Sequence, residues 1–271
     1  MLRRIIYFGL LALLVSSCGG GASNSPSNSA VNKIEKAVES GPATQTVSIN
    51  SPDGVVLVGS LFGSDKPSSP ALLLLHQWES DRHSWDDFAK QLQNDGFVVL
   101  AIDGRGFGES TKKTDGTTVP EDRTDAAVKA MLGDVGAAFD FLSKQKNVDP
   151  NRVGIIGASY GSSLALIYAA DNPKVAAIAL LSPGLNYFGN MQTEPAITSY
   201  GTRPAFLAAA KDDPESFNAV TRLSELTSEP NRALAVSVEK GGHGTALLKV
   251  DGVRKPLETF CKERLGLQPQ K

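Results

Sequence analysis

The chain has 271 residues, 41% hydrophobic and 21% charged, with Lys+Arg 27 against Asp+Glu 29 and a formal net charge of -2. This is the composition of a globular protein, and with no excess of positive charge to neutralise phosphates it argues against a nucleic-acid binder. Two cysteines and three histidines cannot build a disulfide scaffold, a four-cysteine zinc site or a histidine-rich metal centre.

The first residues read as an address. Arg3 and Arg4 precede the uncharged apolar run Ile5 to Val15, and Ser16 and Ser17 lead to Cys18. Eleven apolar residues extend only ~16 Å as a helix, short of the ~30 Å hydrocarbon layer, so a secretory signal is expected over residues 1–17 rather than a permanent span. Val15-Ser16-Ser17-Cys18 resembles a bacterial lipoprotein signal, which implies a diacylated Cys18 (palmitate-type chains) at the mature N-terminus and an exported protein anchored to a membrane. Residues 18–45 are expected to be the lipidated cysteine and a flexible tether, with Gly19 to Asn32 reading GGGASNSPSNSAVN, and residues 46–271 a single domain. Cys261, in an apolar-periodic stretch, reads as a packing residue.

From Thr46 onward short apolar runs alternate with longer amphipathic ones, the pattern of a mostly parallel sheet with helices on both faces. Eight strands are predicted: 45–50, 55–62, 71–76, 97–102, 153–156, 175–181, 205–210 and 233–238. The first two form a hairpin through Asp53-Gly54. Helices are predicted at about 84–95, 124–145, 162–171, 214–226 and from 255.

Gly157-Ala158-Ser159-Tyr160-Gly161 falls directly between a predicted strand and a predicted helix. A serine hydroxyl is a poor nucleophile unless it is exposed beside a base, and a sharp strand-to-helix turn relieved by flanking glycines provides that exposure. Of His76, His83 and His243, only His243 lies beyond Ser159, in the flexible turn Lys240-Gly241-Gly242-His243-Gly244. The strand between them exits through Lys211-Asp212-Asp213-Pro214, which offers two carboxylates to orient the imidazole. Proline disfavours helical geometry in the residue before it, so Asp213 is expected to stay extended as the fixed acceptor, with Asp212 pointing elsewhere.

These motifs, in this order, resemble the α/β-hydrolase superfamily from about Pro70 to Leu265. His76-Gln77-Trp78 is similar to that superfamily's His-Gly-X turn, and Asp103 to Ser110 to its Asp-X-Arg-Gly-X-Gly-X-Ser segment. The resemblance implies an α/β-hydrolase fold with a mostly parallel eight-stranded sheet and little or no lid. It implies Ser159, Asp213 and His243 as catalytic residues, with the backbone N–H groups of Trp78 and Tyr160 as the oxyanion hole. Gln77 stands where glycine is usual, and with the short Ser182 to Arg203 connection this looks more like the dienelactone-hydrolase-like branch than the lidded lipases, although true dienelactone hydrolases use cysteine. Arg105 reads as structural.

The expected activity is hydrolysis of carboxylic esters through an acyl-enzyme, with no metal and no cofactor. A peptidase or amidase with the same triad, or a catalytically silent lipoprotein that binds a partner, remain open from the sequence. Trp78, Tyr160, Tyr187, Phe188 and Met191 are candidates for the pocket wall. The loop Thr111 to Asp122 is expected at the active edge of the sheet.

Overall fold

A computed structural model describes residues 43–227 and 233–266. The expected signal, Cys18 and all of the expected tether before residue 43 lie outside the described residues. In chain order the strands are β1 (Gln45–Asn50), β2 (Val56–Phe62), β3 (Ser69–Leu75), β4 (Val98–Ile102), β5 (Val148–Ala158), β6 (Ala177–Leu181), the short pair β7 (Asn186–Tyr187) and β8 (Met191–Gln192), β9 (Ala205–Ala210) and β10 (Leu234–Val238). The helices are α1 (Asp86–Asp95), α2 (Asp125–Ser143), α3 (Tyr160–Asp171), α4 (Thr193–Tyr200), α5 (Pro214–Glu225) and α6 (Asp251–Arg264), with 3₁₀ turns at Arg82–Trp85 and Gly244–Lys249.

Strands buried on both faces explain the unbroken apolar runs of β3, β4, β6 and β9. Their side chains alternate between two cores. Leu73, Leu75, Leu100, Ile102 and Ile155 pack with Met131, Val135 and Phe139 of α2, Leu164 of α3, Ile197 of α4 and Leu223 of α5. Leu72, Leu74, Val99 and Ile156 meet Phe88 and Leu92 of α1 and Val253, Leu257 and Phe260 of α6 on the other face. Each such leucine contributes about 1.5–3 kcal/mol by leaving water. Helix α2 begins where Thr124 accepts from the Ala127 N–H at 3.3 Å, and its buried residues recur at three and four, as one helical face requires.

One sheet joins eight strands in the order β1-β2-β4-β3-β5-β6-β9-β10. The antiparallel hairpin β1–β2 joins the antiparallel side of β4, and every pairing from β4 to β10 is parallel. The carboxyl ends of six strands therefore share one edge, where loops can converge. No described helix is long and apolar enough to cross a membrane.

Most ends shift by one to three residues, two elements begin four or five residues earlier than expected, and one connection carries structure of its own. β5 begins at Val148, because Val148 pairs with Ser69 ahead of an irregularity that absorbs Pro150 before the ladder resumes at Val153. α6 begins at Asp251 and carries Pro256 inside it, since Val253 and Leu257 supply a buried face on both sides of the proline. The connection 182–203 is a hairpin followed by a helix, and Met191, Ile197 and Tyr200 anchor it in the core.

Candidate active site

β5 delivers Gly157-Ala158 to Ser159, whose φ of 53° and ψ of -124° place it in a conformation that side chains rarely adopt. Such a residue costs about 1–3 kcal/mol and persists only where its surroundings over-determine it. Here the Ser159 N–H donates to Leu181 O at 2.8 Å, and the Ser162 N–H and hydroxyl donate to Ser159 O at 2.9 and 2.5 Å. The flanking glycines have a steric reason. A Cβ on Gly157 would lie 2.2 Å from Gly161 O, and one on Gly161 would lie 2.5 Å from His76 O and 2.6 Å from Leu75 O. The second clearance seats the start of α3 directly against the end of β3.

His243 Nε2 lies 2.7 Å from Ser159 Oγ, and His243 Nδ1 lies 2.7 Å from Asp213 Oδ2. The carboxylate is an acceptor only, so Nδ1 carries a hydrogen and Nε2 faces the serine as the basic nitrogen. Asp213 has φ -119° and ψ 76°, not helical, as its place before Pro214 demands. Burial pushes the Asp213 carboxyl up, but the hydrogen bond and charge of His243 outweigh it and hold the group below the usual carboxylate range. Asp212 points elsewhere and accepts from the Gly241 N–H (3.2 and 3.3 Å) and the Gly242 N–H (3.2 Å). It therefore holds the loop that carries the histidine.

The other two histidines are occupied. His76 is buried; its Nε2 accepts from the Gly104 N–H at 2.8 Å, so its Nδ1 is the donor to Gln77 O at 2.7 Å. Burial pushes its imidazole down against that bond, so it stays neutral. His83 is exposed and pairs with Asp86 at 2.9 Å.

Trp78 follows His76-Gln77, and its ring meets Phe107, Phe188 and Tyr160 edge to face at 4.7, 4.8 and 5.2 Å. Tyr160 opens α3, so its N–H has no helical acceptor four residues back. The two backbones expected to form the oxyanion hole thus belong to segments in contact. Arg123 lies over the Trp78 and Phe188 rings at 4.6 and 5.0 Å. Of the expected wall residues, Trp78, Tyr187 and Phe188 are half-buried, and the Tyr187 hydroxyl donates to Ser182 O at 3.0 Å. Tyr160 is 4% exposed and Met191 is fully buried, so Met191 belongs to the core rather than to a pocket wall.

A buried ionic frame lies beneath this edge. Arg82 forms an ion pair with Asp103, whose carboxylate also accepts from the Arg82 and Glu109 N–H groups at 2.8 and 2.9 Å. A Cβ on Gly108 would overlap that carboxylate at 2.3 Å. Arg105 reaches Asp134 at 2.6 and 2.7 Å and Asp53 at 2.9 and 3.0 Å, the structural part expected of it. The loop 111–122 packs on the start of β2, where the Val56 N–H donates to Lys112 O at 2.9 Å, and so lies at the carboxyl edge. Cys261 is buried and its thiol is pushed up to about 12 by that burial, which fits a packing residue. Among the described residues no group of three or more His, Cys, Asp or Glu side chains is placed to hold a metal ion.

Sequence reasoning missed three residues that shape the site, Arg82, Asp134 and Ser182, and it singled out Gln77 as a departure from glycine without finding its partner. Asp134 carried the only local signal, an acid on the apolar face of α2. The others act through contacts between segments far apart in the chain.

Comparison with known proteins agrees with this architecture. A family model for the alpha/beta hydrolase fold matches residues 70–197, and an esterase model matches residues 138–265. An uncharacterized protein of Mycobacterium tuberculosis is 33% identical over 143 residues, which are 52% of this chain and 46% of that protein, so the match spans less than half the relative's length. An esterase structure from Pyrococcus furiosus superposes with a TM-score of 0.66 at 18% identity, covering 83% of this chain and 92% of that one. Dienelactone hydrolase from Anabaena variabilis superposes with a TM-score of 0.61 at 19% identity, covering 83% and 97%. With its eight-stranded sheet, its order of elements and these matches, the chain has the α/β-hydrolase fold.

Proposed function

We propose that this protein is a serine hydrolase that cleaves carboxylic esters through an acyl-enzyme. The observation that carries the reading is the hydrogen-bonded line Asp213–His243–Ser159, with both links at 2.7 Å and the serine on a strained turn. Ser159 Oγ attacks the ester carbonyl while His243 Nε2 takes its proton. Asp213 keeps the imidazole in the required tautomer and stabilises the imidazolium. The negative oxygen is received by the Trp78 and Tyr160 N–H groups, and one such donor contributes about 2.7–4 kcal/mol in a protease. His243 then protonates the departing alcohol, and a water activated by the same nitrogen releases the acid.

The His243 side chain is 44% exposed, which supports an open site suited to short acyl groups. The test is labelling by a fluorophosphonate, followed by rates on matched p-nitrophenyl esters and anilides, with Ser159→Ala as the blank. Ester turnover lost in Ser159→Ala is the expected result. Faster anilide cleavage would make the protein an amidase, and no labelling at all would leave a binding protein.

The same proposal places the enzyme at a membrane surface through a lipid on Cys18, a reading that rests on Arg3, Arg4, the apolar run 5–15 and the cysteine itself. Cys18→Ser is expected to abolish detergent partitioning. Unchanged partitioning and N-terminal mass would overturn the anchor.

A further inference from the structure

Glycine is the usual residue where Gln77 stands, and here the side chain has a partner across the site. Its Oε1 accepts from the Thr245 N–H at 3.3 Å, a contact between residues 168 apart in the chain. Gly244, at φ +63°, makes the room, since a Cβ there would lie 2.9 Å from Gln77 Oε1 and 3.2 Å from its Cδ. The Gly244 N–H in turn donates to the hydroxyl of Ser182 at 2.9 Å, and that serine is fully buried. On the other side of His243, the Gly241 and Gly242 N–H groups are held by Asp212. The Gln77 backbone is held as well, since its carbonyl accepts from His76 Nδ1 at 2.7 Å.

We propose that Gln77 is a positioning residue that couples the oxyanion turn to the histidine loop, so that the base and the oxyanion donors keep one mutual geometry. The inference rests on His243 being the general base. A glycine-rich loop has many conformations open to it, and His243 is flanked by glycine on both sides. Asp212 pins the loop before the histidine; Ser182 and Gln77 pin it after. Of these, Gln77 alone belongs to the same turn as Trp78. Because only its oxygen is used, a carboxylate can replace the amide and keep the bond. That replacement adds a negative charge against Gly244 and Thr245, the two residues that follow His243, and a negative charge so placed favours the protonated base and moves the acidic limb of the rate profile to higher pH.

The experiment compares wild type, Gln77→Ala and Gln77→Glu by steady-state kinetics on p-nitrophenyl acetate across pH. It adds amide hydrogen exchange at residues 241–245 and thermal melts to establish folding. Since a misplacement of 1 Å costs about 10²-fold and the Ser182 bond remains, Gln77→Ala is expected to lower kcat by about tenfold with KM within twofold. Exchange at Thr245 should quicken while Gly241 and Gly242, held by Asp212, stay unchanged. Gln77→Glu should recover at least a third of the wild-type kcat, with its acidic limb shifted upward. A Gln77→Ala kcat within twofold of wild type, an unaltered Thr245 exchange rate, or an unmoved limb in Gln77→Glu overturns the proposal. Absence of ester turnover in wild type would sink the hydrolase reading instead, and the exchange comparison would still decide the contact.

Discussion

Asp212 and Asp213 are adjacent and chemically identical, so exchanging each for asparagine isolates what position does. Asp213 Oδ2 receives the His243 Nδ1 hydrogen at 2.7 Å. An asparagine there can present its NH₂ to Nδ1, which drives the ring hydrogen to Nε2 and turns the base away from its task. The corresponding change in a serine protease costs about 10⁴ in kcat, equivalent to about 5.5 kcal/mol of barrier. Asp212 makes only backbone contacts, at 3.2–3.3 Å in an exposed position. An asparagine oxygen still accepts from Gly241 and Gly242, and a bond of this kind contributes about 0.5–1.5 kcal/mol net, so the expected loss is below about tenfold. The assay is kcat on a short p-nitrophenyl ester at neutral pH, with circular dichroism to establish that both variants fold. A larger loss in Asp212→Asn than in Asp213→Asn would refute the assignment of the acid and the tautomer argument with it.

Gly161→Ala places a methyl 2.5 Å from His76 O and 2.6 Å from Leu75 O, both backbone atoms. Overpacking of this kind costs about 1–3 kcal/mol, so the urea midpoint should fall with the slope unchanged; an unmoved midpoint would contradict the close approach of α3 and β3. Asp53 is pushed from 3.8 to about 2, first by the Arg105 hydrogen bond. A lowered folded value means its stabilisation is present above about pH 4 and fades as pH falls towards 2, and because the side chain is 42% exposed the contribution is below about 1 kcal/mol. Asp53→Asn and wild type should therefore differ slightly at pH 6 and converge near pH 2, and a gap that widens in acid would reverse the sign. An enclosed acyl tunnel would raise kcat/KM about fourfold per added CH₂. The open site predicts that the rise stops within the first few carbons, so a steady increase to palmitate esters counts against it.

The layers, the strand–turn–helix around Ser159 and the three side chains that meet in the line Asp213–His243–Ser159 were legible in the chain alone. Those features are local: apolar periodicity needs only a strand's or a helix's length, the glycines at 157 and 161 stand two residues from the serine, and Pro214 constrains the aspartate beside it. How separate strand ends meet was not legible there. Nothing near Arg82 in the chain marks Asp103 as its partner, and nothing near Gln77 marks Thr245. The connection 182–203 read as a bare link because β7 and β8 are two residues each, too short for periodicity to register. Their hairpin is held by Met191 in the core and by the Asn190 amide, which donates to Arg123 O and Asp125 at 2.9 Å. Such partners are chosen by the packing of the sheet edge, where the energy of a contact depends on neighbours that the local sequence does not contain.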